Sequence, residues 1–270
     1  MIIEQTIAFL KENYRDQILD LRITDLRIGV FLTGIKLSDG SVGISGTVSP
    51  PDSEIHCKKG DRDFGDYTPN QFRGRKVLDL LETGKKSGFI ESLKIAALNA
   101  ISAAIMERST YKVLRNTDPI DLIDLGSAKT ISLVGAFPSY IHKISQTKNK
   151  LFVLEFNEEA LDKKFRKYYV PAERYPAILP VSDIIIITGI SLVNNTFDRL
   201  LESTMSGSEV IVTGPSCSFI PDILFKKGIK IIGSVKITDP ESAFNVIGEG
   251  GTGYHLFRYC AEKICILPAP

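Results

Sequence analysis

The sequence lacks the features that mark nucleic-acid-binding and membrane-spanning proteins. Its formal net charge is only +1 and it contains no long basic run, so we expect no nucleic-acid partner. No segment is apolar for the roughly 20 residues that a membrane-spanning helix needs. The first residues, Met-Ile-Ile-Glu-Gln, lack the basic and apolar regions of a signal peptide. These absences predict a cytoplasmic protein without a membrane partner.

Cysteine and histidine are also scarce, which limits disulfide and zinc chemistry. The four cysteines are too few for a disulfide scaffold and none forms a C-x-x-C pair, so reduced thiols are expected. His56 and Cys57 are adjacent and cannot easily face one ion from a regular strand. His255, Cys260 and Cys265 follow none of the usual zinc spacings. No preformed zinc site is therefore predicted, although a site of carboxylate and carbonyl oxygens would leave almost no trace in the sequence.

The N-terminal part of the 270-residue chain has the pattern of helices combined with an antiparallel meander. Apolar residues at helical spacing predict helices over Ile2–Asn13, Lys76–Glu82 and Gly88–Glu107. Alternating apolar residues predict strands, with a bulge or turn at Thr24-Asp25 and a tight hairpin at Asp39-Gly40. Alanines in the last helix allow another element to pack closely. The polar stretch Ser49–Arg75 is predicted to be a long exposed loop, a kind of segment that is often functional.

After residue 117 the pattern changes to short apolar runs that are rich in β-branched residues. These runs are Ile131–Val134, Leu151–Glu155, Ile184–Thr188, Val210–Thr213 and Ile229–Ile232. Continuous apolar strands that alternate with helices indicate a parallel sheet buried on both faces. The sequence therefore predicts an α/β protein of two domains, with an N-terminal α+β domain over residues 1–110 and a doubly wound parallel-sheet domain over residues 111–270.

Ligands of open α/β sheets bind beyond the carboxyl ends of the strands, so the residues after each strand form the candidate site. Gly135, Phe137 and Pro138 follow the first strand, and Pro138 suits the first turn of a helix whose free N–H groups favour an anion. This segment lacks the later glycines of the G-x-G-x-x-G fingerprint, which weakens a dinucleotide interpretation. Glu155 and Asn157 follow the second strand, where Glu155 could accept ribose hydroxyls or could be a solvated strand-end carboxylate.

Polar residues also follow the third strand. Thr188 and Gly189 end that strand, and the polar residues Asn194, Asn195 and Thr196 come shortly afterwards. Asn195 could cap the next helix, with Asp198 as a partner in a capping box. That role would explain one asparagine and leaves part of the cluster for ligand contact.

The fourth strand ends in a sharp turn that contains Pro215 and Ser216. Ser216 has no recognisable His/Asp partner in the sequence and lies outside any G-x-S-x-G motif. A nucleophilic serine is therefore not predicted, and the hydroxyl is a candidate ligand contact.

Taken together, these segments resemble a family of uncharacterised bacterial and archaeal proteins described as heavy-metal chelation proteins. The matching segments cover most of the chain and are Ala97-Leu98-Asn99-Ala100, Val134–Pro138, Glu155-Phe156-Asn157, Thr188-Gly189, Leu192–Thr196, Gly214-Pro215-Ser216 and Val235–Pro240. Each motif is unspecific alone, but their order and spacing are specific. The resemblance implies an N-terminal domain like that of enolase, a Rossmann-like domain after it, and an active site between the two. It also implies a divalent heavy metal as the candidate cofactor.

Two residues depart from the family's pattern, and one gains meaning from it. Asn195 stands where glycine is frequent, and asparagine tolerates a left-handed backbone. Cys217 stands where a small residue without a thiol is usual, so Cys217 and Glu155 are the candidate metal ligands. Asn99 interrupts the apolar run of the alanine-rich helix and needs partners if it is buried. We expect it to reach the cleft above the sheet, near Thr188 and Asn194.

The sequence leaves three functions open. The first is binding of a metal ion, a metal chelate or an anionic small molecule in an interdomain cleft. The second is a nucleotide- or S-adenosylmethionine-binding enzyme that uses the same cleft, and the third is a non-catalytic sensor or partner-binding protein. Neither catalysis nor an oligomeric state is indicated. The predicted ligand-binding residues are Asn99, Gly135, Phe137, Pro138, Glu155, Asn157, Thr188, Gly189, Asn194, Asn195, Thr196, Pro215 and Ser216.

Overall fold

The computed structural model describes residues 1–48 and 65–268 of the chain. Its N-terminal part contains a three-stranded antiparallel sheet in chain order, built from β1 (Ile23–Ile28), β2 (Leu32–Leu37) and β3 (Val42–Gly46). The predicted hairpin turn at Asp39-Gly40 joins β2 to β3, and Gly40 has a φ of +88° there. The predicted irregularity is present as well, since the register of β1 against β2 shifts between Ile23 and Asp25.

The helices around this sheet are α1 (Ile2–Asn13), α2 (Arg15–Ile18), α3 (Val77–Glu82) and α4 (Gly88–Met106). The side chain of Ser87 accepts a hydrogen bond from the Ile90 N–H at 3.2 Å, which caps the start of α4. Helix α4 lies directly on β3, because a Cβ added at Gly43 would be 2.1 Å from the carbonyl oxygen of Ala96. The small residues of the helix thus permit close packing, as the sequence predicts.

Helix α4 is apolar because it is a core element. By length and composition it could cross a membrane, but 67% of the apolar stretch that passes this test is buried inside the protein. Leu93, Ala97 and Leu98 have no exposed surface at all. Within the described chain, the hydrophobicity of α4 is used for internal packing.

Residues 112–267 contribute an eight-stranded, mostly parallel sheet. Its strands are β4 (Lys112–Arg115), β5 (Thr130–Val134), β6 (Lys150–Glu155), β7 (Tyr169–Pro171), β8 (Ile184–Thr188), β9 (Glu209–Thr213), β10 (Ile229–Ile237) and β11 (Ala261–Leu267). Their spatial order is β4-β11-β10-β9-β8-β5-β6-β7, and β11 alone runs in the opposite direction, antiparallel to both β10 and β4. The chain moves outward from β5 to β7 and then returns to place β8 beside β5. The six parallel strands thus have the 3-2-1-4-5-6 order of doubly wound sheets, with the switch point between β5 and β8.

Helices cover both faces of this sheet, and its central strands are therefore mostly apolar. Helix α5 (Pro138–Ser145) lies on one face, and α6 (Tyr175–Ile178), α7 (Ile190–Val193), α8 (Phe197–Glu202) and α9 (Asp222–Lys226) lie with α4 on the other. Helices α10 (Pro240–Gly248) and α11 (Gly253–Tyr259) form a third core with residues of β2 and β3. In β8, Ile185 and Ile187 join the core that includes α4, whereas Ile184 and Ile186 join the core that includes α5. Alternate side chains of one strand therefore bury themselves on opposite faces.

The predicted fold class is confirmed, and three details differ from the sequence interpretation. The short strands β4 and β7 and the antiparallel strand β11 were not predicted, and β10 continues to Ile237 rather than ending at Ile232. Of the loop predicted over Ser49–Arg75, residues 49–64 lie outside the described residues, together with His56 and Cys57. The rest is not simply exposed, since Tyr67 and Phe72 are buried in the main core. The domain border near residue 110 stays a prediction.

Candidate functional site

The loops after β5 and β8 meet at the switch point of the sheet. Gly135 has a φ of +106°, and a Cβ there would lie 3.1 Å from the Cβ of Thr188. Gly189 makes an ordinary van der Waals contact with the next loop, because its added Cβ would be 3.4 Å from the Cβ of Ser216 and 3.5 Å from the sulfur of Cys217. Five residues that the sequence singles out are thus brought together, and the missing Cβ of Gly135 allows the closest of these contacts.

Glu155 uses its carboxylate to hold the loop after β5. One oxygen accepts the Ala136 N–H at 3.0 Å, and the other accepts the N–H of Phe156 at 2.7 Å. Asn157 likewise accepts the N–H of Glu159 at 2.9 Å and caps a short 3-10 helix. Both side chains therefore satisfy local backbone groups.

The polar cluster after β8 is also linked internally. Asn194 accepts hydrogen bonds from the N–H and the hydroxyl of Thr196, at 3.2 and 2.7 Å. Asn195 has a φ of +59°, the left-handed conformation expected where the family has glycine. Its predicted role as a helix cap is wrong, because α8 begins after Thr196. Asp198 does not complete a capping box either, since its carboxylate accepts the N–H of Ile2 at 3.0 Å.

Ser216 and Asn99 join the two sheets to each other. The Ser216 hydroxyl accepts the N–H of Gly46 at 2.8 Å. The side-chain amide of Asn99 donates to the carbonyl oxygens of Ile44 at 2.6 Å and of Pro215 at 2.9 Å. The sequence predicted that Asn99 would lie near Thr188 and Asn194. Among the described residues, its hydrogen-bond partners lie instead in β3 and in the loop after β9.

The amide oxygen of Asn99 has no hydrogen-bond partner among the described residues. Asn99 is 1% exposed, and its Oδ1 atom is buried. The orientation of the amide is fixed chemically, because both partners of the nitrogen are carbonyl oxygens, which can only accept. A buried acceptor without a donor is rare in folded proteins and calls for an explanation.

Asn99 lines a cavity of about 830 Å³, which we call the interface cleft. The β2–β3 hairpin, the end of α4 and the strands β4 and β10 enclose it. Three basic residues, Arg108, Arg115 and Lys236, line it together with the acidic residues Asp39 and Glu107. Lys236 pairs with Glu107 at 3.2 Å, whereas Arg108 forms no ion pair within the described part of the chain. The cleft therefore combines a basic rim with a buried amide acceptor.

A second cavity of about 440 Å³, the edge cavity, lies at the carboxyl edge of the eight-stranded sheet. Asp118 is its central polar group: it accepts the hydroxyl of Tyr140 on one oxygen and the ammonium of Lys263 at 2.6 Å on the other. Burial, the hydrogen bond to Asp118 and the charge of Asp118 raise the pKa of Tyr140. Tyr140 is therefore a neutral hydrogen-bond donor near neutral pH.

Only four of the thirteen predicted ligand-binding residues line either cavity. Asn99 lines the interface cleft, and Phe137, Pro138 and Pro215 line the edge cavity. The others line neither of the two cavities and are Gly135, Glu155, Asn157, Thr188, Gly189, Asn194, Asn195, Thr196 and Ser216. Sequence reasoning missed Asp118, Tyr140 and Lys263, which come from three distant segments. The only local signal was Asp118 before Pro119, which resembles an ordinary turn.

The donor groups of the described residues do not fit a bare metal ion. No group of three or more His, Cys, Asp or Glu side chains in residues 1–48 and 65–268 is arranged to hold one. The candidate ligand Cys217 is fully buried, burial raises the pKa of its thiol, and its Sγ donates to the carbonyl oxygen of Gly214 at 3.0 Å. The candidate ligand Glu155 has both oxygens hydrogen-bonded to the backbone. A metal ion would thus need donors beyond the side chains of residues 1–48 and 65–268.

The buried thiols make a testable prediction about reactivity. Burial raises the pKa of Cys265 to about 12 and also raises the pKa of Cys217 and Cys260. The folded thiols therefore stay protonated above the pH at which unfolded thiols ionise, about 8.5. Their contribution to stability is therefore present below that pH and lost as pH rises further. In a Cys57→Ser background, we expect slow reaction with dithiobis(nitrobenzoate) in the native state and rapid reaction of every remaining thiol in denaturant. Rapid reaction of the native variant would contradict the burial of these thiols.

Two family models match the chain and carry the same description, "Putative heavy-metal chelation". One covers residues 118–266 and the other covers residues 11–102. An uncharacterized protein of Methanocaldococcus jannaschii is 26% identical over 158 residues. The match covers 56% of this chain and 56% of the length of that relative.

Solved structures of the same family share the fold. A protein of unknown function from Pyrococcus horikoshii has a TM-score of 0.75 at 21% identity, and the match covers 98% of both chains. A protein of unknown function from Desulfitobacterium hafniense has a TM-score of 0.72 at 20% identity, and the match covers 97% of this chain and 100% of that one. At these identities the likeness establishes the fold.

Proposed function

This chain belongs to the protein family described as "Putative heavy-metal chelation", and from that premise we propose that it binds a metal-bearing chelate or a related anionic small molecule in the interface cleft. Such binding would serve to hold the metal, to insert it or to remove it. The proposal combines the metal chelation named in the family's description with the chemistry of the groups that line the cleft.

The observation that carries the proposal is the unpartnered oxygen of Asn99. A buried acceptor that makes no hydrogen bond costs about 1–3 kcal/mol. The two donors on the same amide hold the side chain in place between Ile44 and Pro215, so the oxygen cannot rotate toward another partner. A bound molecule whose N–H or O–H group reached this buried oxygen from the cleft would satisfy it.

The charges of the cleft favour an anionic molecule. The basic residues Arg108, Arg115 and Lys236 outnumber the acidic residues Asp39 and Glu107 along its walls. Arg115 lies 3.8 Å from Glu262, which leaves most of its guanidinium donors available. Arginine suits bidentate recognition of carboxylates, which are common metal-chelating groups.

Calorimetric titration of chelator-treated protein tests this proposal. The probes are nickel, cobalt, iron and zinc, each added as a simple salt and as its citrate complex. We expect saturable binding of at least one citrate complex and weaker binding of the corresponding simple salt. No binding of any probe would overturn the proposal, and so would simple salts that bind as tightly as the complexes.

A charge variant with a matched control separates the cleft from nonspecific attraction. Arg108→Gln combined with Arg115→Gln should weaken binding of the citrate complex by about tenfold, since both guanidinium groups line the cleft. Arg258→Gln is the control, because Arg258 is exposed and lies outside the cleft. Equal loss of affinity in both variants would place the binding elsewhere.

The strand order favours a second candidate, a nucleotide- or S-adenosylmethionine-binding enzyme. Doubly wound sheets of this order often bind nucleotides at the switch point. The hydrogen bonds of Glu155 argue against this second candidate, because both carboxylate oxygens already accept backbone N–H groups at the switch point. Thermal-shift screening with dinucleotides and S-adenosylmethionine distinguishes the candidates, since a ligand of the folded state raises the melting temperature.

Glu155→Ala provides the corresponding structural prediction. It removes the acceptor of two backbone N–H groups, so we expect the free energy of unfolding to fall by about 2 kcal/mol. Glu159→Ala is the control, since Glu159 is exposed, and it should change stability by less than about 0.5 kcal/mol. Urea denaturation measures both. Unchanged stability in Glu155→Ala, together with loss of a nucleotide-induced thermal shift, would instead favour the nucleotide role.

The remaining sequence predictions keep that status. They include the cytoplasmic location, a small-molecule or metal ligand without nucleic-acid or membrane partners, the enolase-like and Rossmann-like character of the two parts, and the non-catalytic sensor alternative. The sensor alternative predicts that altering the Ser49–Arg75 loop abolishes binding of a partner, and residues 49–64 of that loop lie outside the described residues.

A further inference from the structure

Aromatic rings form much of the wall of the edge cavity. Phe137 and Tyr140 stack with ring centroids 5.3 Å apart, and Tyr254 and Phe257 line the cavity from helix α11. Tyr254 is 68% exposed, so it lines the cavity and also contacts solvent. A cavity of about 440 Å³ with apolar walls falls within the size range of small-molecule sites. Such walls favour a planar ring that can stack on them.

The polar groups of the same cavity are few and fixed in position. The ammonium of Lys263 has three donors, and its one hydrogen bond among the described residues goes to Asp118. Asp118 is itself held by the hydroxyl of Tyr140, a residue that is only 4% exposed. Lys263 is therefore held at the cavity wall with donors to spare, and its side chain is 44% exposed.

The start of helix α5 adds to the positive character of this end. Pro138 occupies the first turn, no side chain caps the helix, and no acidic residue lies in that turn. Ser139 and Tyr140 line the cavity from this turn. Unpaired N–H groups at a helix start favour a negative charge.

We infer that the edge cavity, which adjoins the interface cleft at Val235 and Ile264, is a second ligand site for a planar aromatic or heteroaromatic molecule that carries an anionic group. The ring lies against Tyr254, and the anionic group lies at Lys263, whose ammonium lies 5.3 Å from the centroid of the Phe257 ring. This inference does not depend on the proposed metal-chelate function, because no residue of the basic rim of the cleft lines the edge cavity.

Two fluorescent dyes test the inference on the full chain. Anilinonaphthalene sulfonate has aromatic rings and a negative charge, and phenylnaphthylamine has the same rings without the charge. We expect both dyes to bind saturably at one site, with the charged dye bound more tightly. Failure of the charged dye to bind saturably would overturn the inference.

Variants then assign each contact. Tyr254→Ala should weaken both dyes by about fivefold, because one ring contact is lost from each. Lys263→Met should weaken the charged dye by about tenfold and leave the neutral dye unchanged. The matched controls are Tyr259→Ala and Lys230→Met, since both residues are exposed and outside the cavity.

The outcomes are distinguishable even if one variant folds poorly. Tyr254 is largely exposed, so Tyr254→Ala is expected to keep the wild-type melting temperature. Equal dye binding by Tyr254→Ala and the wild-type chain would overturn the inference. So would equal weakening of both dyes by Lys263→Met, or weakening of the neutral dye by the Arg108→Gln and Arg115→Gln pair, which would place the ring in the cleft.

Discussion

Gly43→Ala is expected to lower the free energy of unfolding by more than about 3 kcal/mol or to prevent folding altogether. A Cβ at this position would lie 2.1 Å from the carbonyl oxygen of Ala96 and 2.2 Å from the backbone nitrogen of Ala100. These are backbone atoms of α4, so no side-chain rotation can relieve the contact. The helix would have to move away from β3, and Asn99 would move with it.

Gly84→Ala is the matched control for this substitution. No atom lies within 4 Å of a Cβ added at Gly84, and its backbone is not left-handed. Its free energy of unfolding should therefore stay within about 0.5 kcal/mol of the wild-type value. Guanidinium denaturation of both variants measures the difference. If Gly43→Ala unfolds within about 1 kcal/mol of the wild-type protein, then α4 does not pack on β3 as closely as described.

The contact at Gly43 shows what the sequence could and could not predict about the fold. The alanines of α4 indicated close packing, and the hairpin at Asp39-Gly40 placed β3 correctly. The partner of the alanines was not predictable, because a glycine in a strand says nothing about which helix approaches it. Strand β11 was missed for a related reason. Its Glu262 and Lys263 break the apolar pattern, which an antiparallel strand near the edge of a sheet can tolerate.

The meeting of the strand-end loops was predictable from the sequence, but their hydrogen bonds and the positions of the two cavities were not. Strand ends follow from periodicity, so Gly135, Thr188 and Ser216 were expected near one another, and the structure places them so. Polar side chains at strand ends accept hydrogen bonds from nearby backbone N–H groups, as Glu155 and Asn194 do here. That outcome depends on loop geometry of a few tenths of an ångström, which composition and spacing do not encode.

The edge cavity was missed because its polar groups are brought together only by the tertiary fold. Asp118 and Lys263 are separated by 145 residues and meet because β11 returns to the sheet beside β10. Tyr140 faces them from the first helix after the switch point. No sequence motif relates these three positions. Only the topology of the sheet places them at one edge.

Asn99→Asp is expected to destabilise the protein by about 3–5 kcal/mol near neutral pH, although it changes the side-chain volume very little. The amide nitrogen that donates to Ile44 and Pro215 would become an oxygen facing their carbonyl oxygens, at 2.6 and 2.9 Å. The introduced charge would be buried without a partner. Because burial would raise the pKa of the introduced carboxyl above its unfolded value of about 3.9, the loss should be smallest below that pH and should grow as pH rises.

Asn245→Asp makes the same chemical change at an exposed position of α10 and should alter stability by less than about 0.5 kcal/mol at every pH. Urea denaturation of both variants at about pH 4 and about pH 7 separates a buried charge from a general effect of asparagine replacement. If Asn99→Asp matched the wild-type stability at both pH values, water would reach the amide and its oxygen would not be an unsatisfied acceptor. The cleft would then lack the group that most directly selects a ligand, so this one measurement bears on the fold and on the proposed function together.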